Sequence, residues 1–226
     1  MIILVTGATG QIGRLIVDQL LEAGHTVRAL TRNPDRAALP GSVDVRQGDL
    51  TDVASLKDAF EGVEALHLIT FAGDDSADLT NGAEIISLAE RAGIQHISVL
   101  SGWSPTSIEA ALESSSIASA ILQPVDFMGN AKDWIEEIRD SGTVSTLANY
   151  PTVAVHEADI AAVAVCVLTQ NGHGGQEYRL TGPDPLTPAE RTAIIGSAIS
   201  RDLKHVQLTE EEERERLAAH GMGDGA

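Results

Sequence analysis

Cysteine is almost absent from this chain of 226 residues. Its single thiol, Cys166, excludes an intramolecular disulfide and the usual cysteine-rich zinc clusters. The two Trp, two Tyr and three Phe are few, leaving little for the stacking platforms that bind single-stranded nucleic acid. Positive charge is also scarce: 15 Lys and Arg stand against 33 Asp and Glu, a formal net charge of −18. So acidic a surface repels nucleic acid and anionic lipid. No apolar run approaches the ~18 residues of a membrane-spanning helix. The opening MIILVTG lacks the basic segment and cleavage site of a secretory signal. A soluble, cytoplasmic protein follows as the expectation, monomeric or homodimeric, with small-molecule partners and neither nucleic acid nor membrane among them.

What is present is organised. Residues 1–47 carry five Arg (Arg14, Arg28, Arg32, Arg36, Arg46) against four acids, residues 48–150 have a net charge of −13, and residues 151–226 of −6. Strand and helix patterns alternate. Ile2–Val5, Thr26–Leu30, Val43–Gln47, Ala65–Phe71, Ile94–Leu100 and Ala120–Leu122 read as strands. Gln11–Ala23, Val53–Phe60, Asp78–Ala92 and Ser107–Ser114 read as helices between them. A repeated β-α-β pattern predicts an α/β fold with a doubly wound parallel sheet of Rossmann type, strand order 3-2-1-4-5-6. Residues 1–124 form the expected core. Residues 125–226 form a helix-rich lobe packed on it, with helices over Ala131–Arg139 and Glu157–Thr169 and a short strand over Glu177–Leu180. Thr187-Pro188-Ala189-Glu190 and Thr209-Glu210-Glu211-Glu212 have capping-box spacing.

Gly7, Gly10 and Gly13 stand as G-x-x-G-x-x-G directly after a strand and at the start of a helix. That pattern suits a tight turn, close approach of backbone to a pyrophosphate, and close packing of helix on strand. With Thr9, Gln11 and Ile12 they are the expected dinucleotide-binding turn. The second strand ends Thr31-Arg32-Asn33-Pro34 with no acid before Asp35. An acid there suits the ribose 2′-hydroxyl of NAD, whereas an arginine offers a charged fork to a 2′-phosphate. Arg32 therefore favours NADP(H) over NAD(H). Asp49 and Leu50, after the third strand, are placed to flank the adenine, although Asp49 could equally cap the next helix. Thr70 and Phe71 end the fourth strand where ribose and nicotinamide would pass.

GATGQIG, VRALTRNP, QGDL and VLSG, together with HEADIAAVAVCVL and GGQEYRLTGPDPLT later on, resemble the NmrA-like, atypical branch of the short-chain dehydrogenase/reductases. The similarity runs over nearly the whole chain. It implies a Rossmann core, NADP(H) binding, and reduction of quinones or other carbonyl and enone compounds. One departure bears on chemistry. The Tyr-x-x-x-Lys pair of the wider superfamily is missing: the tyrosines are Tyr150 and Tyr178, and the lysines Lys57, Lys132 and Lys204. Hydride transfer to an electrophilic quinone needs mainly positioning, so Ser101, Trp103 and Asn130 stand as candidate catalytic helpers. Each has a structural alternative: loop bonding for Ser101, packing for Trp103, and capping of a helix at Ala131 for Asn130. A non-catalytic NADP(H) sensor, or a lyase, isomerase or cyclase on the same fold, remains an alternative. His67, inside an apolar strand, reads as a core histidine, and the sequence offers no metal site.

Overall fold

The computed structural model describes residues 1–72, 77–102 and 104–219. Seven strands make one sheet: β1 (Ile2–Val5), β2 (Thr26–Thr31), β3 (Asp44–Gln47), β4 (Ala65–Ile69), β5 (His96–Leu100), β6 (Ala118–Pro124) and β7 (Gln176–Leu180). Their order across the sheet is β3-β2-β1-β4-β5-β6-β7, and all pairings are parallel. This is the expected doubly wound order, extended by one strand.

The helices are α1 (Gln11–Glu22), α2 (Lys57–Phe60), α3 (Gly82–Ala92), α4 (Ser107–Leu112), α5 (Ile135–Ser141), α6 (Glu157–Thr169), α7 (Pro188–Ala198) and α8 (Glu210–Ala219). On one sheet face Leu4, Leu30, Leu66, Leu68, Ile97 and Val99 meet Phe60 of α2, Ile85 and Ala89 of α3, and Ile108 and Leu112 of α4. On the other, α1 lies against α6, where Gln19 Nε2 donates to the Ala158 carbonyl at 3.0 Å. Ile16, Val17 and Leu20 of α1 and Ile160, Ala164 and Leu168 of α6 are buried. Covering both faces explains why β1 reads as an unbroken apolar run and β4 as one interrupted only by His67. Each fully buried Leu, Ile or Phe contributes about 1.5–3 kcal/mol by leaving water.

The chain forms two compact units. One comprises residues 1–125 and 156–180, and the other residues 126–155 with the chain from Thr181 onward. Helix α6 and strand β7, which the sequence reading grouped with the residues after 125, stand in the first unit. β7 pairs with β6 from Gln176–Ala120 to Leu180–Pro124.

Several elements differ from their sequence limits, each for a local reason. The strand expected to reach Phe71 ends at Ile69. The Leu79 N–H donates to the Thr70 carbonyl at 2.9 Å, turning the chain back so that Phe71–Ala72 pairs antiparallel with Ala77–Asp78. Helix α3 therefore starts at Gly82 rather than Asp78. The expected helix over Val53–Phe60 opens as a 3₁₀ turn, Val53–Leu56. In the second unit, Met128–Trp134 is 3₁₀ and α5 begins only at Ile135. The parallel pair Thr143–Thr146 with Lys204–Gln207 carries no apolar alternation and was not foreseen. Both capping boxes form, Thr187 with Glu190 and Thr209 with Glu212.

Candidate functional site

β1 leads into Gly7, whose φ of +62° favours glycine. The Gly10 N–H donates to the Gly7 carbonyl at 2.9 Å, and the Arg14 N–H to the Gly10 carbonyl at 3.1 Å, opening α1. A Cβ on Gly13 would stand 2.1 Å from the Gly7 carbonyl oxygen, so helix and turn meet at a separation only glycine permits. No side chain caps α1, and its first turn holds no acid. Thr9, Gly10 and Gln11 are exposed there, while Ala8 and Ile12 are buried beneath. An uncapped helix start with this polarity attracts anions.

Hydroxyl groups lace the strand ends that flank this turn. Thr6 Oγ1 donates to the His67 carbonyl and accepts the Ile69 N–H, both at 3.0 Å. Thr70, buried, donates to the Leu100 carbonyl at 3.4 Å, so its side chain is turned to β5. Phe71 is 38% exposed.

The five N-terminal arginines separate into distinct roles. Arg28 is buried, paired with Asp44 at 2.8 Å, and donates to the carbonyls of Ala59 and Glu61 at 2.9 and 2.7 Å. Arg46 pairs with Asp44 at 2.8 Å. Arg14 donates to the carbonyls of Thr9, Ala38 and Ala37 at 3.0, 2.8 and 2.8 Å. Arg32 and Arg36 are exposed. Arg32 follows β2 directly, and its charge reaches Asp49, two residues past β3. The Thr51 N–H, first, and then the Thr51 hydroxyl and Arg32 hold the Asp49 carboxyl below its ordinary value.

Asp49 does not cap the following turn. Its Oδ1 accepts from the Thr51 N–H and hydroxyl at 2.9 and 2.8 Å, while Asp52 Oδ1 takes the Ala54 N–H at 3.1 Å. The Leu50 side chain joins the core, and its carbonyl accepts from Asn81 Nδ2 at 2.8 Å. Asn81 Oδ1 is buried and, among the described residues, without a hydrogen-bond partner. Nothing in the sequence marked Asn81, which the helix expected over Asp78–Ala92 would have contained; the structure sets it just before α3.

Ser101 ends β5. Its hydroxyl donates to Glu109 Oε1 at 2.6 Å, and the other Glu109 oxygen accepts from the Thr106 N–H and hydroxyl at 2.8 and 2.6 Å. Glu109 is thus the third residue of α4 and closes a capping box with Thr106. Burial raises its pKa, but the Ser101 and Thr106 bonds outweigh that and leave it below the ordinary value. The Thr106-x-x-Glu109 spacing was visible in the sequence and passed over. Trp103 lies outside the described residues.

Asn130, in the second unit, does not cap a helix at Ala131. Its Nδ2 donates to Asp126 Oδ1 at 3.0 Å, and Asp126 is paired with Arg191 at 2.9 Å and accepts from Thr152 at 2.7 Å. His67 is a core histidine: it is 1% exposed, bonded through Nδ1 to Ser98 Oγ at 2.9 Å, and lowered by burial to about 4. His156 Nδ1 caps α6 by accepting the Ala158 N–H at 3.0 Å. Among the described residues no cluster of three or more His, Cys, Asp or Glu could hold a metal, and no helix is long and apolar enough to cross a membrane.

A family profile described as NAD(P)H-binding matches residues 7–106. The (4-alkanoyl-5-oxo-2,5-dihydrofuran-3-yl)methyl phosphate reductase of Streptomyces griseus is 34% identical over 96% of this chain and 80% of its own. The NAD(P)H azoreductase of Xenophilus azovorans is 32% identical over 97% of this chain and 82% of its own. Among solved structures, the NADPH complex of the Escherichia coli quinone oxidoreductase QOR2 superposes with a TM-score of 0.82 at 26% identity, covering 99% of this chain and 84% of that one. With the fold, the glycine turn and these relatives in agreement, the chain belongs to the NAD(P)H-binding oxidoreductases of the NmrA-like, atypical short-chain dehydrogenase/reductase family.

Proposed function

We propose that this protein reduces a quinone, an enone or another conjugated carbonyl compound with NADP(H). The single observation that carries the reading is the exposed, uncapped and acid-free start of α1 behind the Gly7–Gly13 turn, with Arg32 directly past β2. The residues present fit the group. Gly7, Thr9, Gly10, Gln11, Ile12 and Gly13 would hold the pyrophosphate, Arg32 the 2′-phosphate, and Asp49 and Leu50 the adenine end. Asn81 Oδ1, unpaired among the described residues, is an acceptor that a purine amino group would satisfy. Thr70 and Phe71 would border the ribose and nicotinamide.

When bound, the dinucleotide supplies the hydride. Ser101, in the first unit, is the described residue assigned to the acceptor. In the described structure the Ser101 proton is held by Glu109, so its oxygen offers lone pairs rather than an acidic proton, and the reduced acceptor takes its proton from water. Such chemistry suits acceptors that are already electrophilic. A butenolide, an azo bond and a quinone, the acceptors in the relatives' names, all accept hydride into a conjugated π system.

The test mixes the protein with NADPH and a panel of quinones, azo dyes and butenolide phosphates, and follows the absorbance of the reduced nicotinamide. Oxidation with at least one acceptor is expected. Tight NADPH binding with turnover of none would overturn the proposal in favour of a second reading, a redox-state sensor without turnover. The commitment of the Ser101 proton to Glu109 is the observation that favours that alternative.

A further inference from the structure

We propose that Arg14 sets the preference for a 2′-phosphorylated dinucleotide, not by touching the phosphate but by holding the segment that begins at Arg32 against the glycine turn. The inference rests on the assignment of Arg32 to the 2′-phosphate.

Arg14 lies on the first turn of α1, immediately after Gly13. Its Nε–H donates to the Thr9 carbonyl of the glycine turn, and its two terminal nitrogens donate to the carbonyls of Ala38 and Ala37. One planar fork thus joins two backbones, the one that would hold the pyrophosphate and the one that carries Arg32. Between Arg32 and the clamped carbonyls the chain is short and mostly local in its bonding. The Asn33 N–H donates to Thr31 Oγ1 at 3.2 Å, the Arg36 N–H to Asn33 and the Ala37 N–H to Pro34. Pro34–Arg36 is a single 3₁₀ turn.

The far end of this segment is strained. Ala38 has φ +47°, an unusual conformation for a residue with a Cβ. Such a conformation persists when its surroundings impose it, and at Ala38 the imposing contact is the Arg14 fork on the adjoining carbonyls. A guanidinium whose N–H groups are spent on three carbonyls is a brace. Lysine, with one ammonium on a flexible stem, cannot reproduce the three directions at once. Pre-ordering the Arg32 segment lowers the entropy that would otherwise be lost when it closes on a phosphate.

The experiment measures binding of adenosine 2′,5′-bisphosphate and of 5′-AMP by calorimetry, without any acceptor or turnover. It uses the whole chain as wild type, Arg14→Lys, Arg14→Met, Arg32→Met and the Arg14→Met/Arg32→Met double variant, each checked for its unfolding midpoint. Wild type is expected to prefer the bisphosphate. Arg14→Lys and Arg14→Met should weaken the bisphosphate about tenfold and 5′-AMP by less than about twofold, the pattern of a lost preorganisation at one phosphate. In the Arg32→Met background, Arg14→Met should change the preference by less than about twofold, because residues acting through one contact are not additive.

Wild-type binding by Arg14→Lys would show that charge, not the fork, matters and would overturn the inference. Equal weakening of both ligands, or full additivity in the double variant, would overturn it as well. If Arg14→Met does not fold, Arg14→Lys carries the comparison. If Arg32→Met keeps the preference for the bisphosphate, the Arg32 assignment itself falls. If Arg32→Met loses the preference and the Arg14 variants keep it, only the role of Arg14 falls.

Discussion

The Ser101 hydroxyl donates to Glu109 Oε1 at 2.6 Å, which ties the end of β5 to the capping box of α4. A serine whose proton is already given to a carboxylate is a poor general acid. Ser101→Ala is therefore expected to lower kcat with the best acceptor by less than about tenfold, whereas loss of a general acid costs about 10²–10⁴. Steady-state kinetics decides, and a hundredfold loss would restore Ser101 as the proton donor.

The same contact has a stability consequence with a definite sign. Glu109 sits below its ordinary pKa in the folded chain, so its contribution is present above the unfolded value and is lost as pH falls through the folded one. Glu109→Gln should cost about 1 kcal/mol at pH 7, after discounting for partial exposure, and nothing at a pH where wild-type Glu109 is protonated. Urea unfolding at the two pH values checks this; a cost that persists in acid would mean that shape, not charge, holds the cap.

Gly13→Ala would place a Cβ 2.1 Å from the Gly7 carbonyl oxygen and 2.8 Å from the Ala8 Cα. Neither is the end of a flexible side chain, so the α1 start must move away from the turn. The expected outcome is a destabilisation of about 1–3 kcal/mol together with loss of NADPH binding. Unfolding and direct titration measure the two. Unchanged affinity would separate the glycine spacing from the cofactor.

The parallel core was readable because its strands are largely apolar on both faces, as in Ile2–Val5 and Ala65–Ile69, and because α1 and α3 keep a 3.6-residue apolar stripe. The glycine turn was readable because spacing, strand and helix coincide at Gly7–Gly13. What escaped depends on contacts distant in sequence or on competition between local bonds. Thr143–Thr146 and Lys204–Gln207 pair across some 60 residues, with Thr146 Oγ1 bonded to His205 Nε2 at 2.9 Å, and neither alternates. Asn130 had the residue type of a cap, but Asp126 four residues earlier takes its amide. Phe71 belongs to an apolar run, yet the Thr70 carbonyl is taken by Leu79. Five arginines looked equivalent as charge; only their hydrogen bonds in the fold separate the brace Arg14 from the buried Arg28.

Arg28 makes that separation testable. Its loss removes the donor at the Ala59 and Glu61 carbonyls and one of the two arginines at the Asp44 carboxylate, which keeps Arg46. Arg28→Met should destabilise the chain by about 2–3 kcal/mol while leaving the ratio of NADPH to NADH affinity unchanged. Arg32→Glu should do the reverse, weakening NADPH much more than NADH with little change in stability. If the two variants shift both quantities alike, basic charge in this unit acts as a whole rather than residue by residue.

His67 supplies a pH dependence whose direction can be stated in advance. Burial lowers its pKa from 6.5 to about 4, and Ser98 Oγ bonds Nδ1 at 2.9 Å in the core. Between these values the unfolded chain binds a proton that the folded chain refuses. Stability is therefore complete above pH 6.5 and declines as pH falls toward 4. Over the interval from about pH 7 to about pH 5 this one group accounts for about 2 kcal/mol. In His67→Gln, where an amide replaces the imidazole beside Ser98, that part of the slope should vanish even if the variant is less stable overall. Urea midpoints for both proteins across the interval provide the comparison. A slope in His67→Gln equal to that of wild type would assign the acid sensitivity to the carboxylates, Glu109 and Asp49 among them, and remove His67 from the account.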